Sequence, residues 1–355
     1  MNENSDNPRV SVIITAFKAD FFEAALASAR RQTFDDLEII VGDDSPGDGI
    51  RRAAESAAAA DPRIVYTRNR PALGGPANRM ACFARSRGAH VKFLNDDDLL
   101  DADCVRRMAS CLDAFQAVTL VTSYWRRIDA LGGDLGDDRD NARPVGTDST
   151  LDGRSAAAFM IGHRSNFIGG PSAAMFRRND LADARPNILS FAGEPCLANG
   201  DVTMWTHLLS KGDAIYLADS LSALRIHPGQ MQRRPGYAAE GAAAWDRIAS
   251  LARRAGLVDG KAPGRIEAEP LAIKPWHADR VVLAITEGAE ALDGGDLNRA
   301  YWLFTVAAEA EPRDAWILEA RARVLFALGE RTLAESEMKR SRALYRPSRA
   351  HAEGA

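Results

Sequence analysis

Cysteine is scarce. Cys82, Cys104, Cys111 and Cys196 are the only four, and they form no Cys-x-x-Cys pair and no metal-ligand spacing. That excludes a disulfide scaffold or a zinc ribbon and suits a reducing cytosol. Neither sign of charge dominates: 45 Lys and Arg stand against 49 Asp and Glu, a net charge of −4. A dedicated nucleic-acid binder carries a basic excess, so that class is set aside. Long apolar runs are missing too. The longest, near Val10 to Phe17, is far short of the roughly 20 residues that span a bilayer. The first seven residues are polar and acidic, unlike a signal peptide. The expectation is a soluble, cytoplasmic protein without a transmembrane segment.

What is present is enough apolar material for a real core. Of 355 residues 46% are hydrophobic, about two domains' worth of chain. Strand-like and helix-like segments alternate over the first ~125 residues. Val10 to Thr15, Leu37 to Val41, Ile64 to Tyr66, Val91 to Leu94 and Val118 to Trp125 read as strands. Helices are expected from about Asp20 to Gln32, Ile50 to Ala60, Asn78 to Arg87 and Ala102 to Ala114. Such alternation predicts a mainly parallel sheet flanked by helices, with ligands gathered beyond the carboxyl ends of the strands. Residues 128–155, rich in Gly, Asp and Arg, read as a long surface loop. Strand pattern resumes from Pro171 to Phe176 and ends near Arg225 to Arg234, and one helix is expected from about Ala238 to Leu257.

The C-terminal part differs in kind. Gly295 and Gly329 are 34 residues apart, as are Ala300 and Ala334, and Gly288, Ala300, Phe304, Ala307 and Pro312 follow one another in the first unit. A 34-residue period with an Ala-x-x-x-Phe pair resembles the helix–turn–helix repeat of the tetratricopeptide type; an ordinary helical hairpin is the plainer alternative. The expected organisation is a sheet domain over 1–258, a linker over 259–275, an all-α helical-repeat module over 276–348 and a tail over 349–355. Trp302, Trp316 and Phe326 fall outside the repeat's own packing set and are candidate contacts for a second copy or a protein partner. The basic stretch Lys339, Arg340, Arg342, Arg346 and Arg349 reads as a solvated helix face.

Asn95-Asp96-Asp97-Asp98 closes a strand. Adjacent carboxylates repel one another and stay ionised only with a cation, hydrogen bonds or open solvent. Hard divalent cations take such oxygen ligands together with phosphate oxygens and water. A strand-end loop capping the next helix would look the same.

From Arg9 to about Gln232 the chain resembles an inverting family 2 glycosyltransferase of the GT-A fold, the nucleotide-diphospho-sugar transferase architecture. The similarity is carried by Val10 to Phe17, Ser28 with Gln32-Thr33-Phe34, Leu37 to Asp44, Arg79 sixteen residues before Asn95, Gly88, and Asn95-Asp96-Asp97 in the place of the Asp-x-Asp motif. Asn166 to Arg177 is similar to the family's acceptor-side strand, Gly200-Asp201-Val202-Thr203-Met204-Trp205 to its Glu-Asp-x-x-x-Trp segment, and Arg225-Ile226-His227 to its Arg-x-His. Two departures stand out, Asn95 for the first Asp and Gly200 for Glu. The resemblance implies Asp201 as catalytic base, though a helix N-cap would suit that residue as well. It also implies Thr15, Phe17, Asp44, Arg79 and Asp96 as the donor nucleotide site, and Asp97 with His227 holding Mn²⁺ or Mg²⁺. The implied donor is a nucleotide-diphosphate sugar, UDP-linked, and the acceptor a glycan, lipid-linked or protein hydroxyl, met in the cytoplasm or at the inner face of the membrane. Sugar-nucleotide pyrophosphorylases open with a Gly-rich loop, which is absent after Ile14. A non-catalytic scaffold that binds sugar nucleotides, with the repeats binding a partner, is disfavoured by Asp44, Arg79, Asp97 and Asp201 in register.

Overall fold

In the computed structural model, residues 7–139, 141–230, 233–259, 264–272, 274–277 and 279–344 are described. Gln232, residues 260–263 of the expected linker, and Arg346, Pro347, Arg349 and the tail lie outside the described residues. The chain forms two compact units that meet in sequence at Pro270 and Leu271.

The first unit is built on β-branched runs buried from both sides. Val10–Ala16 (β1), Leu37–Asp43 (β2), Ile64–Arg68 (β3) and His90–Asn95 (β4) are parallel to one another. Val12, Ile13, Ile14, Ile39 and Val41 are fully buried because helices cover both faces. Those helices are Phe22–Arg30 (α1), Gly49–Ala58 (α2), Gly75–Arg85 (α3) and, after the short Leu99–Leu100 (β5), Cys104–Ala114 (α4). Next come Val118–Ile128 (β6), Ser149–Leu151 (β7), Gly153–His163 (α5), Ala174–Arg177 (β8), Ser190–Phe191 (β9), Glu194–Pro195 (β10) and Gly200–Leu209 (α6). Asp213–Arg225 (β11), Tyr237–Arg254 (α7) and Ala268–Pro270 (β12) complete the unit.

The sheet order is β12-β7-β11-β6-β8-β4-β1-β2-β3, with β5 also paired to β11. It is mixed: β6 and β11 are parallel, while β8 runs antiparallel between β4 and β6. The chain winds outward from β1 to β3 and then returns to add β4 on the other side of β1. That reversal opens a crevice at the carboxyl ends of β1 and β4.

The expected surface loop over 128–155 holds for residues 130–136, which are exposed, and is corrected beyond them. β7 lies inside it and pairs with β11, and Asn141, Arg143 and Asp148 are buried. Each has a partner: Asn141 donates to the Trp125 carbonyl, Arg143 to the Ala218 carbonyl, and Asp148 accepts from Ala218 N–H at 2.7 Å. Hydrophilic sequence here encodes a packed strap, since a buried polar group is tolerated once it is bonded. Helix α5 follows, with Asp152 capping it through Ser155 N–H at 2.7 Å. Within the span read as a linker, β12 pairs with β7, and Asp152 N–H donates to the Glu267 carbonyl.

The second unit consists of Asp279–Asp293 (α8), Leu297–Ala310 (α9), Ala315–Ala327 (α10) and Arg331–Leu344 (α11), each packed on the next. Small residues set the spacing. A Cβ on Gly288 would sit 3.2 Å from the Phe304 ring, and Ala300, Phe304 and Ala307 are buried.

Candidate active site

Asp96 to Asp98 turn sharply off the end of β4, and each carboxylate has a different set of neighbours. Asp96 Oδ2 accepts from the backbone N–H of Phe17 (2.7 Å) and Lys18 (2.8 Å), which ties the exits of β1 and β4 across the crevice. Burial raises its pKa, and those two N–H groups act against the rise. Asp97 Oδ2 lies 3.1 Å from His227 Nε2. His227 Nδ1 accepts from Gly229 N–H at 3.2 Å, so the ring proton sits on Nε2 and is donated to Asp97. Asp98, 2% exposed, accepts from Ser172 Oγ (2.6 Å), Asn95 Nδ2 (2.9 Å) and Arg225 N–H (2.9 Å). Burial, and then the Asp97 charge, push its carboxyl upward. The Arg225 guanidinium donates to the carbonyls of Asp97, Asp129 and Ala130 and stacks 4.5 Å from the Phe21 ring centroid. The edge of Phe21 meets His227 at 4.9 Å, so Arg225 and Phe21 fix the imidazole beside Asp97.

The Asp97–His227 pair suits a divalent cation. An octahedral ion with bonds of about 2.1 Å has neighbouring donors about 3.0 Å apart, close to the 3.1 Å between Oδ2 and Nε2. Nε2 becomes a ligand only when its proton is given up and the ring takes the Nδ1–H form in place of the Gly229 N–H contact. No group of three or more His, Cys, Asp or Glu placed for a metal occurs among the described residues, so further ligands have to come from phosphate and water.

On the other side of β1, Thr15 is half-buried near the strand end and the Phe17 ring is 56% exposed, free to meet a planar ligand. Asp44 is also bonded within the chain. Both of its oxygens are already engaged, Oδ1 by Asn69 Nδ2 (2.7 Å) and Leu73 N–H (3.2 Å), Oδ2 by Gly74 N–H (2.8 Å). It fixes the entrance of α3. Its neighbour Asp43, fully buried, accepts from Tyr66 Oη and Ser45 N–H.

Arg79 projects from α3 with its Cζ 5.5 Å from the Phe93 ring centroid, and its buried Nε has no hydrogen-bond partner. Burial lowers its pKa, and the charge of Asp201 opposes that. The structure therefore brings Arg79 toward Asp201. Asp201 lies in the first turn of α6, where Asn199 and not Asp201 occupies the N-cap position. Its Oδ1 accepts from Val202 N–H (2.9 Å) and its Oδ2 from Asn166 Nδ2 (3.0 Å). Burial raises its pKa against the pull of Val202 N–H, the Arg79 charge and Asn166. A carboxylate so placed is a better base than an exposed one. Asn166 also donates to the Gly169 carbonyl (3.0 Å), and Trp205 Nε1 donates to the same oxygen. The segment from Asn166 to Ser172 thus touches Asp201 at one end and Asp98 at the other. His207 packs, 8% exposed, against Asp183.

Sequence reasoning passed over Asn166, Ser172, Phe21, Asn69 and Lys18, whose Nζ donates to the Gly229 carbonyl. Asn166, Ser172 and Arg225 lay in quoted motifs; Asn69 gave no local signal.

Comparison with known proteins supports a glycosyltransferase. Residues 11–183 match the family model described as glycosyl transferase family 2. This chain carries a family 2 glycosyltransferase domain. The domain is 37% identical over 95 residues to a GalNAc(5)-diNAcBac-PP-undecaprenol beta-1,3-glucosyltransferase of Campylobacter jejuni, covering 26% of this chain and 31% of that protein. It is 29% identical over 130 residues to the chondroitin synthase of Escherichia coli, covering 35% of this chain and 18% of the relative. The glycosyltransferase match thus spans a third or less of either relative's length. The fold resembles that of Staphylococcus aureus TarS 1–349, solved with UDP-GlcNAc, at a TM-score of 0.53 and 13% identity over 95% of this chain and 90% of that one. No helix among the described residues is long and apolar enough to cross a membrane.

Proposed function

We propose that the glycosyltransferase domain moves a sugar from a nucleotide diphosphate to an acceptor hydroxyl with inversion at the anomeric carbon. The observation that carries this reading is Asp201, a partly buried carboxylate of raised basicity joined to the Asp96–Asp98 turn through the segment from Asn166 to Ser172. Asp201 takes the proton of the acceptor hydroxyl as that oxygen bonds to the anomeric carbon. The bond from the anomeric carbon to phosphate oxygen breaks, and the nucleotide diphosphate leaves with the electron pair. Asp97 and His227 are the residues to hold Mn²⁺ or Mg²⁺, which supplies charge to offset the leaving diphosphate. Thr15 and Phe17 flank the base, with the exposed Phe17 ring stacking on it. Asp96 and Asp44 shape the donor crevice by fixing the chain around it. The Arg79 guanidinium holds Asp201 ionised or meets the donor's phosphates.

TarS was solved with UDP-GlcNAc, which favours a UDP-sugar donor. The Campylobacter relative is named for an undecaprenol-linked substrate, which favours a lipid-linked glycan as acceptor and a place at the inner face of the membrane. We read the second unit as two tetratricopeptide-like hairpins. Gly288 against Phe304 supports that, and Trp302 and Phe326, each 63% exposed, are the candidate partner contacts. A thermal-shift screen of nucleotide sugars with and without Mn²⁺ tests the donor reading. Stabilisation by a UDP-sugar that Mn²⁺ enhances is expected; no response to any nucleotide sugar, with no release of nucleotide diphosphate, sinks it.

A further inference from the structure

The segment from Asn166 to Ala174 runs from Asp201 to the turn that ends β4, and side chains of other elements hold its carbonyls. Thr122 Oγ1 of β6 donates to the Ile168 carbonyl (2.8 Å), with the Ala173 carbonyl at 3.2 Å, and Trp205 Nε1 of α6 donates to Gly169 (3.0 Å). Lys92 of β4 holds the far end: its Nζ donates to the carbonyls of Ser172 (2.6 Å) and Ala174 (3.3 Å). Ser172 passes this hold to the turn, since its Oγ donates to Asp98 and accepts from Asn95 N–H at 2.9 Å. The segment has little stiffness of its own, with Gly169 at φ 94° followed by Gly170.

Lys92 is the charged member of this set, and it is fully buried. Burial pushes its pKa down, with Cys104 and the Asp98 charge acting against the fall. A buried ammonium whose oxygen partners are carbonyls rather than a carboxylate is costly. Methionine would fill the same space without that cost, so packing does not account for a lysine here; the two carbonyls do. We propose that Lys92 is a positioning residue for the transfer, and that by gripping Ser172 and Ala174 it sets the distance between Asp201 and the Asp96–Asp98 turn. The proposal rests on the reading of Asp201 as the base. The acceptor hydroxyl is activated at one end of the segment and the donor's diphosphate is held at the other. A slip of about 1 Å between them can therefore cost about 100-fold in rate, although Lys92 touches neither substrate. Once the two carbonyls are released, the segment slides at its glycines and draws Gly169 away from Trp205.

Lys92→Met tests this, beside Lys92→Gln, which restores a neutral donor on a shorter stem. The Trp205 indole N–H, followed by NMR, should exchange with solvent at least about tenfold faster in Lys92→Met, and less so in Lys92→Gln. Turnover, read as UDP release from UDP-GlcNAc with Mn²⁺, should fall about 10- to 100-fold while affinity for UDP stays within about twofold. Asp201→Asn is run alongside. If it keeps wild-type turnover, or if the wild type releases no UDP, the reading of the base fails, and indole exchange still decides whether Lys92 holds the segment. Unchanged indole exchange in Lys92→Met overturns the positioning role. So does full turnover in Lys92→Met beside an inactive Asp201→Asn, or a loss of UDP affinity as large as the loss of turnover. Insolubility of both Lys92 variants would assign the residue to stability and overturn the proposal as well.

Discussion

Removing the Asn166 side chain perturbs Asp201 without touching the carboxylate itself. In wild type, Asn166 Nδ2 donates to Asp201 Oδ2 at 3.0 Å and stabilises the ionised form. A hydrogen bond to a charged group contributes about 1.5–3 kcal/mol. At 1.4 kcal/mol per factor of ten, its loss in Asn166→Ala favours the protonated form by about 10- to 100-fold. Burial already raises the Asp201 pKa, and the Val202 N–H and the Arg79 charge remain to oppose it. Tyr237 of α7 faces the same charge but does not ionise near neutrality, since burial raises its own pKa. The sign follows: a base must be deprotonated to act, so the variant's acid limb moves to higher pH. The value of kcat/KM should be about 10- to 100-fold below wild type on that limb and converge with it at high pH. Initial rates of nucleotide diphosphate release across pH measure this. A uniform loss at every pH would mean that Asn166 only shapes the segment leading to Ser172, and an unmoved limb would refute the coupling.

Other expectations follow from neighbouring geometry. Asp97→Ala should abolish the Mn²⁺-dependent part of nucleotide binding, read by titration with and without chelator, while the melting temperature of the metal-free protein stays within a few degrees. Gly88→Ala should destabilise by about 1–3 kcal/mol in urea unfolding, because the new Cβ would lie 2.4 Å from the Ser11 backbone nitrogen. In the second unit, burial would raise the Asp314 pKa, but Lys274 and His277 outweigh it and hold the carboxyl well below the usual range. Its stabilising effect is therefore present above the ordinary carboxylate pKa and fades as pH falls through the depressed one. Asp314→Ala should remove that dependence and cost about 3–5 kcal/mol at neutral pH, since Lys274 loses its carboxylate partner. Hydrogen exchange in α10 reads both effects.

How far the site could be seen in the sequence depended on how local its causes are. β1, β2 and β4 were visible because strands buried on both faces must be nearly continuous apolar runs, and polar residues such as Asp44 and Asp96 mark where those runs leave the core. The packed strap over residues 141–151 was not visible. Asn141, Arg143 and Asp148 look like surface residues, and only their bonds to Trp125 and Ala218 make burial tolerable. The same limit applies to Asp44. Its position was legible, but its partners lie 25 to 30 residues away, and they engage both oxygens while leaving Oδ2 one further lone pair. A motif position therefore locates a carboxylate without saying whether its lone pairs are free for a ligand. Asp44 spends most of its acceptor capacity on the entrance to α3 and keeps one lone pair on Oδ2, whereas Asp97 meets His227 through Oδ2. That difference explains why two aspartates at equivalent strand ends are given different tasks.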